Sequence, residues 1–401
     1  MHITVITSSY PRFVGDSVAP FVKSLSEAIA DRGHDVIVIA PYDAIAVPDT
    51  SKKIIVKRFK YIFLDKFHIM GHSRSLKDDA KLKPFVYFLL PLYIFFGSLC
   101  LYKNVKRQKS DVIHAHWVLP GGLIAALVGL ITKTPFIISL HGSDIYVANR
   151  NIAFKWVTGW IFRRAKYVSA CSQELFDRAE SLGAKGKVKL IAWGADPNRF
   201  KPLDNKSEVR KQYGWKNNEL VICSLGRMVS KKGFNRLIAA FAALRDNKKL
   251  RLVIGGEGPL KNDLIAQTFQ LGLKNQVEFP GNISWCDVGN FFGAADLFVL
   301  PSVRDKSGNI DGLPTVLLEA MACGLACVAS NIGGVSLVIK NYENGVIFDT
   351  KNDNELKSIL EDLLFDREKR EELGNNARRS VVDHYNWSNV SNQFDQIIKT
   401  G

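Results

Sequence analysis

Residues 300–324 read LPSVRDKSGNIDGLPTVLLEAMACG, and their order decides the fold. The apolar run ADLFVL at 295–300 stops at Pro301 as a strand does. An irregular polar loop follows, and a helix opens at Pro314 and Thr315, where proline's fixed φ and missing N–H suit a first turn. LACVAS at 325–330 then starts another strand. Strand, loop, helix and strand in that order make one crossover unit of a parallel sheet.

The same rhythm extends in both directions. In the second half, strands are expected at 219–225, 250–255, 276–279, 296–300 and 325–329, with helices at 233–245 and 314–323. The first half predicts a strand at 2–8, a helix at 18–32, and strands at 35–41, 111–116, 135–140, 167–170 and 188–191. This is an α/β class chain of two Rossmann-like, doubly wound parallel-sheet domains. At 401 residues it exceeds the size at which one core keeps growing. Between the halves, RFKPLDNKSEVRKQYGWKNNE at 199–219 is polar and lacks an apolar period, so the linker is expected there. The division is 1–200 and 201–382, with a final helix at about 383–401 packing back onto the first domain.

Composition excludes several classes. With 47% hydrophobic and 23% charged residues the chain is neither disordered nor low-complexity. Six scattered cysteines without CxxC spacing read as small buried hydrophobes in a reducing compartment. The opening HITVITSS shows no basic and apolar leader, so a cytoplasmic location is expected. Net charge is +15, and residues 1–200 hold 28 Lys and Arg against 15 Asp and Glu. Such a field attracts an anionic surface or substrate, and no nucleic-acid module accompanies it.

Residues 85–102 form an uncharged apolar stretch with Lys81 and Lys83 before it and Lys103, Lys106 and Arg107 after. A spanning helix needs about 20 such residues, and Pro91 and Gly97 interrupt this one. It reads as a helix covering the sheet, as an interfacial helix on a bilayer, or as both.

Two segments carry charge at strand ends. In the loop of 300–324, Asp311 and Glu319 flank a helix N-terminus whose N–H groups at Gly312, Leu313 and Thr315 suit a diphosphate or sugar hydroxyls. Glu319 can accept two hydrogen bonds from a ribose diol. In SLGRMVSKKGF at 224–234, Arg227 and Lys232 follow Gly226 and precede a new helix. Two fixed cations there could neutralise a leaving nucleotide diphosphate, while Lys231 is expected to point to solvent. His141 follows the strand PFIISL at its carboxyl end, where doubly wound sheets expose their sites; a core histidine is the alternative. His114 and His116 have a spacing that could chelate zinc, but no third ligand is evident, so no metal site is expected.

These motifs resemble those of the retaining glycosyltransferase family 4, whose fold is GT-B, along the whole chain. The likeness rests on TSSYPRFVGDSVAPF, HAHWVLPGG, SLHGSD, SLGRMVSKKG and the Asp-x7-Glu loop, with AWGADPNRF and GGEGPL as further landmarks. It implies two domains facing across a cleft, and a metal-independent, retaining transfer of a sugar from a UDP- or GDP-sugar. Catalytic roles fall to His141, Arg227, Lys232, Asp311 and Glu319. Donor binding falls to Gly226, Arg227, Lys232, Gly312, Leu313, Thr315 and Glu319. Acceptor binding falls to Gly15, Asp16, His116 and Asp144. No cofactor beyond the nucleotide sugar is implied. Relatives usually have Glu at the position of Asp311, and many carry Glu where Leu337 stands here. The expected acceptor is a glycan or polyprenyl-diphosphate-linked glycan at an anionic inner-leaflet surface, in polysaccharide assembly. A noncatalytic nucleotide-sugar-binding subunit and a GT-B epimerase are the competing readings.

Overall fold

The structure is a computed structural model that describes residues 1–49, 51–72, 84–142, 145–146 and 152–399. The chain divides into two compact units, 1–192 with 387–401, and 193–386.

The N-terminal unit is built on seven parallel strands: β1 (His2–Ile6), β2 (Asp35–Pro41), β3 (Ile54–Phe59), β4 (Val112–His116), β5 (Phe136–Ser139), β6 (Tyr167–Ala170) and β7 (Val188–Leu190). Their order is β3-β2-β1-β4-β5-β6-β7. Ile3, Val5, Val38, Ile113 and Ile138 are buried in it, because strands covered on both faces have no polar alternation. Helices α1 (Pro20–Ala30), α2 (Pro84–Gln108) and α3 (Leu123–Thr132) belong to this unit. So does the C-terminal helix Trp387–Lys399, where Asp395 meets His34 at 2.8 Å and Ser391 accepts from Arg32.

The second unit holds six parallel strands: β8 (Leu220–Leu225), β9 (Leu250–Gly255), β10 (Val277–Glu278), β11 (Leu297–Leu300), β12 (Ala326–Ser330) and β13 (Val346–Phe348). Their order is β10-β9-β8-β11-β12-β13. Each sheet reverses direction of growth once, at β1/β4 and at β8/β11. Ligands of open α/β sheets bind outside the carboxyl ends of strands at such a reversal.

Three expectations change. The polar segment 199–219 is no free linker: it contains the helix Lys206–Gln212, and the division falls after Ala192. Arg210 is buried there, bonding Asp296 and the carbonyl of Ala294, while Lys206 reaches Asp296 at 2.9 Å. Ion pairing holds this segment, and a search for apolar period does not register it. Helix α2 runs unbroken through Pro91 and Gly97. Pro91 sits on its exposed side, and Gly97 lets α3 approach, since a Cβ there would lie 2.9 Å from Ile124. The edge strands β3 and β13 were not anticipated.

Candidate active site

Two loops of the second unit leave the strands on either side of its reversal point. After β8, Gly226 is followed by Arg227 and a single turn of 3-10 helix, Ser230–Lys232. After β11, the chain passes Ser302 and Asp311 before entering the helix Thr315–Ala322. Asp311 joins the two loops: its carboxylate lies 2.8 Å from Lys232 Nζ and 3.2 Å from Lys231 Nζ, and accepts from Ser302 Oγ at 3.2 Å. All three charged side chains are largely buried, with 12 to 14% exposure. Burial alone would push the Asp311 carboxyl up, but the Lys232 and Lys231 ammoniums outweigh it and hold it well below the usual carboxylate range. Lys231 is therefore part of the cluster and not directed to solvent. The 3-10 turn presents both adjacent stems to one carboxylate, which no sequence period reveals.

Glycine makes this packing possible at two positions. Gly226 lies against the stem of Lys232, with a Cβ position 3.3 Å from Cε. Gly333, at φ +65°, lies so close that a Cβ would come within 2.3 Å of the Asp311 and Gly312 carbonyl oxygens. Gly334 N–H also donates to Gly312 O, so this turn braces the loop. Gly312 and Leu313 are buried beside Thr315, which opens the eight-residue helix and its unsatisfied first-turn donors.

Glu319 lies on that helix, 6% exposed. Burial pushes its carboxyl up to about 7, despite the opposing pull of Trp285, Arg199 and Thr315. Trp285 and Arg199 escaped the sequence reading. The Arg199 guanidinium stacks 3.5 Å over the indole and donates to the Trp285 carbonyl. Their only sequence signal is an aromatic residue in the polar loop after β10.

The N-terminal unit presents a different cluster. His114 and His116 at the end of β4 stack at 4.5 Å, and His116 Nδ1 lies 3.1 Å from His141 Nε2 beyond β5. His114 Nε2 bonds Ser139 Oγ at 2.8 Å, and Trp117 and Phe21 close over His141 at 4.3 and 5.0 Å. Burial lowers the pKa of all three imidazoles, that of His114 to about 3, so they are neutral at pH 7. Among the described residues no group of three or more His, Cys, Asp or Glu is placed to hold a metal ion.

Gly15 adopts φ +87° in the loop after β1. Asp16 is buried and accepts from the Arg12 backbone N–H, from Arg12 Nε at 2.7 Å, from its NH2 at 3.0 Å and from Val18 N–H. Those four bonds fill its oxygens, so Asp16 shapes the loop. Asp144 lies outside the described residues.

Residues 18–199 match Glycosyltransferase Family 4, and residues 205–380 match Glycosyl transferases group 1. The chain is a family 4 glycosyltransferase. Its fold is GT-B, with two parallel-sheet α/β units. The glycosyltransferase is 26% identical to an uncharacterized glycosyltransferase of Methanocaldococcus jannaschii, over 100% of this chain and 98% of that one. It is 28% identical to the UDP-Gal:alpha-D-GlcNAc-diphosphoundecaprenol alpha-1,3-galactosyltransferase of Escherichia coli, over 72% of this chain and 75% of that protein. The crystal structure of Anabaena HepE in complex with UDP superposes with a TM-score of 0.76 at 21% identity, covering 100% of both chains.

Proposed function

We propose that the glycosyltransferase takes a hexose from a UDP- or GDP-sugar, keeps its anomeric configuration, and needs neither a divalent ion nor another cofactor. The acceptor in this reading is a glycan, free or carried on a polyprenyl diphosphate, in cell-surface polysaccharide assembly. The observation that carries it is the Lys231–Asp311–Lys232 cluster. Two ammoniums and one carboxylate leave a net charge of +1, and Arg227 at the same strand end raises it to +2. A diphosphate is the complementary anion, and cations already fixed in place stabilise its charge as the sugar bond breaks. Asp311 serves here by positioning the lysines, and Glu319 by accepting from the ribose diol. His141, neutral and held by His116, is a hydrogen-bonding group and not a cation.

Retention follows one of two routes, and the N-terminal unit favours a front-side displacement in which the leaving phosphate takes the acceptor proton. Among the described residues, the buried carboxylates of that unit, Asp16, Asp43 and Asp395, are each held by a cation or histidine, which leaves them poor nucleophiles. HepE was crystallised with UDP, and the E. coli relative is named for a diphosphoundecaprenol acceptor. Both support the donor and acceptor classes. Proton NMR of the product formed from an α-linked donor should show an α-glycosidic anomeric signal, with turnover unchanged in EDTA. An inverted product, or turnover abolished by the chelator, ends this reading.

A further inference from the structure

Helix α2 is apolar on both sides. Among the described residues it alone is long and apolar enough to cross a membrane, and most of its apolar length is not buried against the unit. Its inward stripe, Val86, Leu89, Tyr93, Gly97 and Leu101, recurs every three or four residues and packs on the unit. Tyr93 meets Phe59 and Tyr61 at 5.0 and 5.3 Å, and Lys57 Nζ bonds Asn104 Oδ1. A helix anchored this way along its length lies flat against its domain.

The outward stripe should be polar for a helix facing water, and it is not. Phe88 is 68% exposed, Phe95 62% and Tyr87 53%, with Leu99 and Tyr102 continuing the line. The loop after β3 extends this surface: Phe67 meets Phe85 at 5.3 Å, and Phe63 stands 94% exposed. Cations edge the patch. Lys103, Lys106 and Arg107 are exposed at the helix end, and Lys60 and Lys66 lie beside Phe63, with Asp65 pairing Lys60. Between residues 52 and 109 Lys and Arg outnumber Asp and Glu by 14 to 3.

We infer that this face docks on an anionic lipid bilayer, with α2 in the interfacial plane and Phe63 as a wedge beside it. Exposed aromatic rings with lysines at their margin match the boundary between acyl chains and anionic headgroups. A second copy is the poorer occupant, because two-fold pairing would set this cationic margin against itself or against the apolar rings. The inference goes beyond the donor reading and stands without it. It gives the acceptor a physical source, a lipid-linked glycan presented at the surface on which the enzyme rests.

The test is sedimentation of the full-length protein with phosphatidylcholine vesicles, and with vesicles of equal parts phosphatidylcholine and phosphatidylglycerol. At low salt the mixed vesicles should retain it and the neutral ones retain it less. Phe88→Glu with Phe95→Glu should lower partitioning by about tenfold or more, because buried apolar area and headgroup attraction set the affinity. Lys103→Glu, Lys106→Glu and Arg107→Glu together should remove the preference for phosphatidylglycerol. Thermal stabilisation by UDP or GDP, unchanged in these variants, shows that they fold. Failure of either nucleotide to stabilise any form would count against the donor reading and leave the docking result standing. Docking is overturned if mixed vesicles do not retain the protein, if the phenylalanine variants partition like the parent, or if gel filtration shows a lipid-free dimer that those variants dissociate.

Discussion

The cluster around Asp311 follows β8 and β11 and the stack around His141 follows β4 and β5, neighbouring places in two similar sheets, yet burial has opposite consequences in them. Both lie at carboxyl ends of strands beside or near a reversal point. In the second unit, two lysines surround one carboxylate and hold it ionised. In the N-terminal unit, imidazoles face one another and Ser139, and burial lowers their pKa so that all stay neutral at pH 7. Partners, not depth, decide the protonation state. Under the proposed function, one unit offers fixed positive charge to a diphosphate, and the other offers neutral donors and acceptors to hydroxyls.

Removing charge from the first cluster should have the largest effect. Lys232→Ala should lower kcat by about 10²-fold, the cost of losing one preorganised partner of a developing anion. Lys231→Ala should cost less, because its contact with Asp311 is longer, 3.2 against 2.8 Å. Steady-state kinetics with the cognate donor checks both. Unchanged turnover in Lys232→Ala would reduce the cluster to a structural ion network and remove the contrast between the two units.

The strands on either side of each reversal point were legible in the sequence because covered parallel strands are continuous apolar runs, and β1, β4, β8 and β11 each begin within one residue of the expected position. The edge strand β3, by contrast, carries Lys57 and Arg58 and leaves Ile55 exposed, so it lacks that signature. Lys232 and Asp311 were legible as candidates because cations and acids near strand ends stand out locally, and the structure brings these two together. Lys231 and Arg199 were missed for a physical reason: their roles depend on Asp311 and Trp285, each 80 or more residues away in the chain, and composition cannot supply such a meeting. The same limit made Arg210 look like linker when Asp296 holds it in the core.

The neutral stack predicts acid sensitivity of intermediate size. His114 has its pKa lowered from 6.5 to about 3 by burial, so below pH 6.5 the unfolded chain binds a proton that the folded one refuses. The contribution is fully present above pH 6.5 and is lost as pH falls toward 3. At pH 5 the loss from this one residue is on the order of 2 kcal/mol. Urea unfolding of the full-length protein at pH 7 and pH 5 should show it, and His114→Gln should lose less stability over that interval. An equal loss in the variant would mean that His114 is not among the groups responsible.

Glu319 sharpens the comparison because it is a lone buried carboxylate with one cation, Arg199, acting on it, intermediate between the two clusters. With its pKa raised from 4.5 to about 7, the folded protein holds the proton between those values, so this residue's contribution to stability declines as pH rises from 4.5 to 7. Nucleotide binding runs in the opposite sense. A ribose diol donates two hydrogen bonds to an ionised carboxylate, and the ionised share rises about tenfold between pH 6 and pH 8 for a group titrating near 7. Calorimetric titration with UDP or GDP should therefore show affinity increasing by up to about tenfold over that range. Glu319→Gln should bind more weakly at pH 8 and lose most of the dependence. If the parent protein binds equally at both pH values, Glu319 either stays ionised throughout or does not meet the ribose, and measuring the variant at pH 8 separates these: weak binding points to the first, unchanged binding to the second.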